Sequence, residues 1–155
     1  MAVDPFNRII RRAVSSDAEN IATLYRQLVD NTSVAVLPER IVQIAKDNNT
    51  ALFVCEQDGR LCATALVSMC LDVMYRFQPY AVIENFVVDK SSRRNGTGTA
   101  LINYIEEFCL NADCSKIMLL STANRVTAHR FFERAGFNGS SKRGFVKYRR
   151  EMMPK

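Results

Sequence analysis

The stretch from Val82 to Leu101, VIENFVVDKSSRRNGTGTAL, decides how the rest of this chain is organised. Its first part, Val82–Val88, is apolar apart from Glu84 and Asn85. Such a run predicts a buried strand with a polar interruption. Because side chains alternate between the two faces of a strand, the acid and the amide are expected on opposite faces.

The second part of the stretch is a polar, basic turn over residues 89–95, followed by Gly96, Gly98 and a helical pattern that starts near Ala100. A glycine has no Cβ to keep a ligand away from the backbone. The free N–H groups and the positive dipole end of the new helix attract an anion. This layout is typical of a phosphate site, although glycines between a strand and a helix also form plain turns.

Two common phosphate motifs are absent from this turn. No Lys follows Gly98, which excludes the GxxxxGK[ST] loop, and Ala100 and Leu101 stand where GxGxxG requires its third glycine. The pattern that remains is R-x-x-G-x-G, formed by Arg93, Gly96 and Gly98. This pattern, together with the strand that leads into it, resembles the GCN5-related N-acetyltransferase (GNAT) family, whose pyrophosphate loop reads Q/R-x-x-G-x-G/A.

A second segment, Thr122–Phe137 (TANRVTAHRFFERAGF), resembles the other acetyl-CoA segment of the same family. The family pattern has an Asn, then an Ala, then F-Y-E-K/R-x-G-F. The matching residues are Asn124, Ala128, Phe131, Phe132, Glu133, Arg134, Gly136 and Phe137. The Asn lies one residue further from the aromatic pair than is usual. With the order of the predicted elements, the resemblance covers roughly residues 7–150.

The resemblance implies that acetyl-CoA is the co-substrate and that no metal is needed. The implied pyrophosphate cradle, acting mainly through backbone N–H groups, consists of Arg93, Arg94, Asn95, Gly96, Thr97, Gly98 and Thr99. The other implied cofactor contacts are Phe86, Val87 and Val88 on the strand, and Asn124, Phe131 and Phe132 in the second segment. A plain helix cap is an equally good interpretation of Asn124.

Acetyl transfer to an amine requires a base, because an amine with a pKa near 10.4 is almost fully protonated at pH 7. Glu84 is the candidate catalytic base, since several members of the family carry an acid on this strand for that role. The alternative is a buried structural acid paired with an Arg or a backbone N–H. The family also presents strand N–H groups to the thioester oxygen, and Val88 is the expected donor here.

The leaving thiolate is often protonated in this family by the Tyr of the F-Y-E segment. This chain has Phe132 at that point, and a phenyl ring has no proton to give. A thiol pKa of about 8.5 makes free CoA a tolerable leaving group without an acid. Tyr80 and Tyr148 are the alternative proton donors.

All 155 residues are expected to form one acetyltransferase-like domain. Residues 1–6 are set aside as disordered or as an added leader. The resemblance implies an α+β fold, a mixed and twisted sheet of six to seven strands flanked by about four helices. Strands are predicted near residues 7–14, 51–56, 61–69, 80–89, 116–121 and 144–150, with a hairpin at Asp58-Gly59.

Composition narrows the class of protein. A hydrophobic content of 48% with 24% charged residues is ordinary for a globular chain, and no apolar run approaches the ~20 residues that span a bilayer. With one His in the chain and five cysteines, a Cys/His zinc site is not expected. Without a signal pattern at the start, a cytoplasmic location with reduced cysteines is expected.

The net charge of +5 admits a nucleic-acid module, yet the basic residues are scattered, apart from Arg11-Arg12, Arg93-Arg94 and residues 142–150. The expected partner is therefore the primary amine of a small molecule or a peptide, with no nucleic acid and no membrane. The identity of that acceptor stays open. Many relatives are dimers, so the resemblance allows a homodimer. An acyl-CoA-binding sensor that has lost turnover is the second functional hypothesis.

Overall fold

The computed structural model describes residues 6–154. These residues fall into two compact units, the first ending at Leu119 and the second beginning at Leu120. The expectation for residues 1–5 lies outside the described part of the chain. That the whole chain is one domain stays a prediction.

The first unit is built on a five-stranded sheet in the order β1-β2-β3-β4-β5. Its strands are β1 Arg8–Arg12, β2 Thr50–Gln57, β3 Arg60–Cys70, β4 Tyr80–Val88 and β5 Ile117–Leu119. Neighbouring strands are antiparallel from β1 to β4, and β5 runs parallel to β4. The mixed sheet confirms the predicted fold class.

Four α-helices occur between residues 6 and 154, which is the number predicted. They are α1 Ala18–Leu28, α2 Pro38–Ala45, α3 Thr97–Asn111 and α4 Val126–Arg134. The first three belong to the first unit and α4 belongs to the second. Short 3₁₀ turns occupy Ser15–Asp17, Lys90–Ser92 and Arg149–Glu151.

Helices cover both faces of the sheet in the first unit. On one face, α1 and α2 contribute to a buried cluster that includes Leu52 and Val54 of β2. On the other face, the ring of Phe53 packs edge to face against Tyr104 and Phe108 of α3, with centroids 5.2 and 5.1 Å apart. Because both faces are buried, β2 has a continuous apolar run in place of an alternating one.

The predicted hairpin between β2 and β3 is confirmed. Asp58 has φ +52° and Gly59 has φ +76°, so both central residues of the turn are left-handed. A type I′ turn requires this backbone, and an Asp-Gly pair adopts it at low cost. The hairpin fixes the register of β2 against β3.

The predicted last strand over residues 144–150 is wrong. Residues 144–148 form no strand, and the 3₁₀ turn at Arg149–Glu151 follows them. Phe145 is 88% exposed and Tyr148 is 57% exposed. The apolar residues there do not alternate, so they offer no single face that burial could hold in register. The sheet formed by the described residues therefore has five strands, where six or seven were predicted.

An ion-pair network fixes the junction between β1 and α1. Arg11 donates to both carboxylate oxygens of Asp17, at 2.7 and 3.1 Å, and to Glu56 of β2 at 3.1 Å. Asp17 is 6% exposed and also accepts the N–H of Val14 at 2.8 Å. The hydrogen bond from Arg11 lowers the pKa of Asp17 against the opposing effect of burial. The carboxylate is therefore stabilised in its charged form.

We expect Asp17→Asn to lower the free energy of unfolding by about 1–3 kcal/mol at pH 7, because a partly buried guanidinium loses one of its two counter-charges. The lowered pKa means that the carboxylate stabilises the fold above about pH 4, and that this contribution disappears as the pH falls through the lowered pKa. The difference between variant and parent in urea unfolding should therefore shrink below about pH 4.

Glu19→Gln is the matched control, since Glu19 pairs with Arg26 at the surface with side chains 83% and 49% exposed. That substitution should change the free energy of unfolding by less than about 1 kcal/mol. Equal losses in the two variants would contradict the role of the Arg11 network.

Candidate functional site

A β-bulge interrupts β4 at the polar pair that the sequence singled out. Between the cross-strand pairs Leu66↔Glu84 and Thr64↔Val87, β3 contributes one residue and β4 contributes two. Asn85 lies in the bulge with φ +53°. Asn tolerates this left-handed conformation far better than the β-branched residues around it. The bulge bends the strand where a reaction site was predicted.

The bulge overturns the expected alternation of side chains. Glu84 and Asn85 are both exposed, instead of lying on opposite faces of a buried strand. An extra residue breaks the two-residue period, so consecutive side chains can both reach solvent. The interpretation of Glu84 as a buried structural acid is therefore wrong. Within residues 6–154, its carboxylate has no hydrogen bond and no ion pair.

Tyr25 of α1 reaches the bulge, and sequence reasoning missed it. Its phenol lies close enough to the side chain of Asn85 for the two groups to interact. Burial raises the pKa of Tyr25 above the usual phenol value, and the interaction with Asn85 opposes the shift. The phenol therefore stays neutral at physiological pH. In the sequence, the only sign of this contact is the polar Asn85 within an apolar strand, because such a residue needs a polar partner from another element.

The backbone of β4 has an unpaired edge next to the bulge. Pairing with β5 ends at Ile83↔Leu119, whereas β4 continues to Val88. The N–H of Asp89 donates to the carbonyl of Cys62 in β3 at 2.8 Å. Successive N–H groups of a strand point to opposite edges, so the N–H of Val88 points away from β3. In the described part of the chain, no strand pairs with that edge beyond Ile83.

Asp89 organises the start of the glycine turn. Its Oδ1 accepts the N–H and the hydroxyl of Ser91 at 2.9 and 2.6 Å. Gln27 of α1 donates to its Oδ2 at 3.1 Å and accepts the N–H of Lys90 at 3.0 Å. Burial alone would raise the pKa of Asp89, but the hydrogen bonds from Ser91 and Gln27 and the charge of Arg60 outweigh it and lower the pKa. A charged, buried carboxylate thus anchors the turn to α1.

The backbone of the turn is left-handed at two positions, Arg94 with φ +65° and Gly96 with φ +85°. Asn95, between them, accepts the N–H and the hydroxyl of Thr97 on its side-chain oxygen at 3.2 and 2.6 Å. Thr97 is 1% exposed and begins α3. The predicted cradle residues Asn95 and Thr97 are therefore bonded to each other.

Two N–H groups at the start of α3 remain for a ligand. The first backbone bond of the helix runs from the N–H of Ala100 to the carbonyl of Gly96 at 2.9 Å. The N–H groups of Gly98 and Thr99 precede it and have no carbonyl partner within the helix. The N–H of Thr97 is already engaged. Gly98 and Thr99 are thus the donors that carry the positive end of the helix dipole.

The two arginines of the turn take different positions. Nε of Arg93 donates to the carbonyl of Val88 at 3.1 Å, so this side chain folds back over the end of β4. Arg94 is exposed and holds the left-handed backbone conformation. The structure therefore brings Val88, Arg93 and the helix start of α3 together at one end of β4.

The second unit contains the other predicted cofactor residues. The α4 helix begins at Val126 without a side-chain cap, so the interpretation of Asn124 as a helix cap is wrong, and its side chain is exposed. Phe132 is 8% exposed, with its ring centroid 5.2 Å from that of Phe131 and 5.9 Å from that of Phe137. Contacts of these residues with acetyl-CoA stay predictions.

Gly136 ends α4 as the sequence predicted. It has φ +94°, and its N–H donates to the carbonyl of Glu133 at 3.0 Å. The N–H of Phe137 donates to the carbonyl of Phe132 at 3.0 Å. This pair of bonds is a Schellman motif, and the contact between the two phenyl rings completes it.

The described residues outside β4 and the glycine turn were also considered for a metal site, a membrane span and a pocket. No group of three or more His, Cys, Asp or Glu side chains in the described residues could hold a metal ion. Between residues 6 and 154, no helix has both the length and the apolar character that a membrane span requires. A surface hollow of about 530 Å³ lined by residues 139–144 contains none of the predicted site residues.

Known proteins resemble this chain in sequence and in fold. The sequence matches the model of the acetyltransferase (GNAT) family over residues 18–137. A search of curated proteins finds no match.

Solved structures share the fold. A protein from Agrobacterium tumefaciens described as an acetyltransferase has a TM-score of 0.81 at 24% identity, covering 90% of this chain and 99% of its own. Glucosamine-6-phosphate N-acetyltransferase from Arabidopsis thaliana has a TM-score of 0.79 at 23% identity, covering 92% and 98%. An aminoglycoside N-acetyltransferase in complex with CoA has a TM-score of 0.78 at 18% identity, covering 96% and 99%. At these identities the likeness concerns the fold alone.

We expect Gly96→Ala to weaken acetyl-CoA binding, because a Cβ at φ +85° strains the turn and would lie 3.4 Å from Nη1 of Arg8. The left-handed backbone should cost about 1–2 kcal/mol in the free energy of unfolding. Gly59→Ala is the matched control, with φ +76° and nothing within 4 Å of the new Cβ. Both variants should lose stability in thermal unfolding, and only Gly96→Ala should lose affinity in a calorimetric titration. Equal affinity in the two variants would contradict the placement of the ligand.

Proposed function

Because this chain belongs to the acetyltransferase (GNAT) family, we propose that it transfers the acetyl group of acetyl-CoA to a primary amine of a small molecule or peptide. One observation carries the proposal: β4 supplies at Val88 a backbone edge that is not paired with β5, and it leads directly into a turn with free N–H groups at the start of α3. A strand N–H can donate to the carbonyl oxygen of a thioester, and the N–H groups at a helix start can bind a pyrophosphate.

The pyrophosphate would bind at the start of α3. The N–H groups of Gly98 and Thr99 are the donors, and Arg93 and Arg94 supply positive charge. Gly96 has φ +85° and is exposed, so the ligand can approach its backbone closely. The side-chain oxygen of Asn95 is bonded to the N–H and the hydroxyl of Thr97 within the turn, and the part of these two residues in binding is to hold its shape.

The acetyl group would lie against the β4 edge beyond the last pair with β5. There the N–H of Val88 would donate to the thioester carbonyl, which becomes an oxyanion when the amine attacks. The deprotonated amine nitrogen bonds to the carbonyl carbon, the C–S bond breaks, and CoA leaves as a thiolate, while the nitrogen gives up its second proton to solvent to become a neutral amide. The carbonyl of Val88 is occupied by Arg93, which fixes the peptide plane at this point.

Glu84 would take the proton that the attacking ammonium must lose. Its carboxylate is exposed at the bulge, close in sequence to Val88 and open to an incoming acceptor. A water molecule between carboxylate and amine is sufficient for this transfer. The neighbouring residue of the bulge, Asn85, interacts with Tyr25 of α1.

The leaving thiolate departs without an acid in this proposal. Tyr80 begins β4 and Val88 ends it, and eight residues of strand span roughly 26 Å. That distance removes Tyr80 as a proton donor for a thioester held at Val88. A CoA thiol is acidic enough, with a pKa of about 8.5, to leave as the anion at neutral pH.

Two structural neighbours support an amine acceptor. One is a glucosamine-6-phosphate N-acetyltransferase and another is an aminoglycoside N-acetyltransferase. Both names specify transfer to nitrogen of a sugar amine. Amino sugars and short peptides with a free N-terminus are therefore the acceptors to test first.

Saturating acetyl-CoA should raise the melting temperature of the chain. Ligand at about 100 times its dissociation constant adds about 2.7 kcal/mol, which for a domain of this size is a rise of roughly 5–10 °C. Gly98→Asp is the matched variant, because its carboxylate would repel the pyrophosphate, and its melting temperature should not respond. No rise in the parent chain would refute the cofactor and the proposed function together.

Glu84→Gln should keep acetyl-CoA affinity and lower kcat/KM for the amine by about 10²–10⁴ at pH 7. The deficit should narrow as the pH approaches the pKa of the amine, since the acceptor then loses its proton without help. Release of free CoA, measured by chromatography over an amine panel, gives the rates. Glu39→Gln, an exposed acid on α2, is the control.

Equal turnover of Glu84→Gln and the parent chain at every pH would remove Glu84 from the mechanism. Binding of acetyl-CoA without CoA release for any amine would favour the acyl-CoA-binding sensor.

A further inference from the structure

Arg8, in the first strand of the sheet, reaches the glycine turn although 87 positions separate it from Asn95. Its Nη2 donates to the carbonyl of Asn95 at 3.0 Å. The guanidinium also lies beside Gly96, where a Cβ would sit 3.4 Å from Nη1 and 3.7 Å from Nη2. Among the residues of β1, Arg8 alone forms a hydrogen bond with the turn.

With the hydrogen bond from Arg8, both oxygens of Asn95 are hydrogen-bonded. The side-chain oxygen of this residue accepts the N–H and hydroxyl of Thr97, and Arg8 takes its backbone carbonyl. Since Asn95 lies between the left-handed residues Arg94 and Gly96, holding both of its oxygens fixes the backbone on either side. The N–H groups of the following helix then point in a set direction before any ligand arrives.

The guanidinium is itself held in place. Its carbon lies 4.6 Å from the ring centroid of Phe6, a cation–π contact. Arg8 also pairs with Gln57 across the sheet, so its backbone is part of the β1–β2 ladder. A rigid strand therefore carries the cation to the turn, and little side-chain entropy is lost when a ligand binds.

We propose that Arg8 is a positioning residue for the acetyl-CoA pyrophosphate, holding the 93–98 turn in its binding conformation through the carbonyl of Asn95. This inference rests on the proposed function, since it needs acetyl-CoA to bind at the turn. It adds a residue that lies outside both cofactor segments. Arg and Lys are expected to differ here, because only the planar fork of Arg can reach both Asn95 and the space beside Gly96.

The test uses Arg8→Met, which keeps an unbranched apolar stem but removes the donor and the charge. The dissociation constant for acetyl-CoA, measured by calorimetry, should rise about tenfold. Arg8→Lys, which restores a charged donor, should recover part of that loss. Arg40→Gln removes one positive charge from the exposed face of α2 and should bind acetyl-CoA as the parent chain does.

Amide hydrogen exchange of the ligand-free proteins separates positioning from general damage. In Arg8→Met, the N–H groups of residues 94–98 should exchange faster, while those of β3 stay unchanged. Affinity within twofold of the parent chain would overturn the inference, as would faster exchange throughout the sheet without rescue by Arg8→Lys. If the parent chain itself fails to bind acetyl-CoA, the proposed function falls and the inference falls with it. A parent that binds with an unaffected Arg8→Met overturns the inference alone.

Discussion

The mismatch of one residue between β3 and β4 is the constraint on which the rest of the site depends. Two residues of β4 oppose one of β3, and Asn85 absorbs the difference in a left-handed conformation. A regular strand would place either Glu84 or Asn85 in the core, where an unpaired carboxylate is costly. The bulge turns both side chains to solvent. A strand that is otherwise buried can therefore present an acid to a substrate.

Helix α1 ties the two halves of the site to each other. Tyr25 interacts with Asn85 at the bulge, and Gln27, two residues later, is hydrogen-bonded to Asp89 and Lys90 at the start of the glycine turn. Both contacts come from the last turns of one helix, which is anchored to β1 and β2 by the Arg11 network at its other end. The relative placement of bulge and turn is thus set by a rigid element.

Local sequence signals predicted the features that depend on local physics. Asp58-Gly59 and Gly136 were correct because a left-handed turn residue is required wherever the chain reverses or a helix ends. The bulge was missed because register depends on two strands, and the sequence of β4 alone shows no extra residue. The last strand was predicted from apolar content, and exposed Phe145 shows that apolar residues without a periodic face do not specify one. Arg8 was missed because a contact across 87 positions leaves no local pattern.

The polar groups of the glycine turn are already hydrogen-bonded to one another, and this lowers the free-energy cost of binding a ligand there. Asn95, Thr97, Asp89 and Ser91 are all paired before a ligand arrives, so binding does not require the turn to be ordered first. Preorganised N–H donors act without reorganisation, and their contribution is largest where charge develops or is already present. In the proposed reaction the remaining barrier lies at the amine, because the thiolate would leave unaided while an ammonium cannot attack. Glu84, exposed at the bulge, is the group of β4 that we propose lowers that barrier.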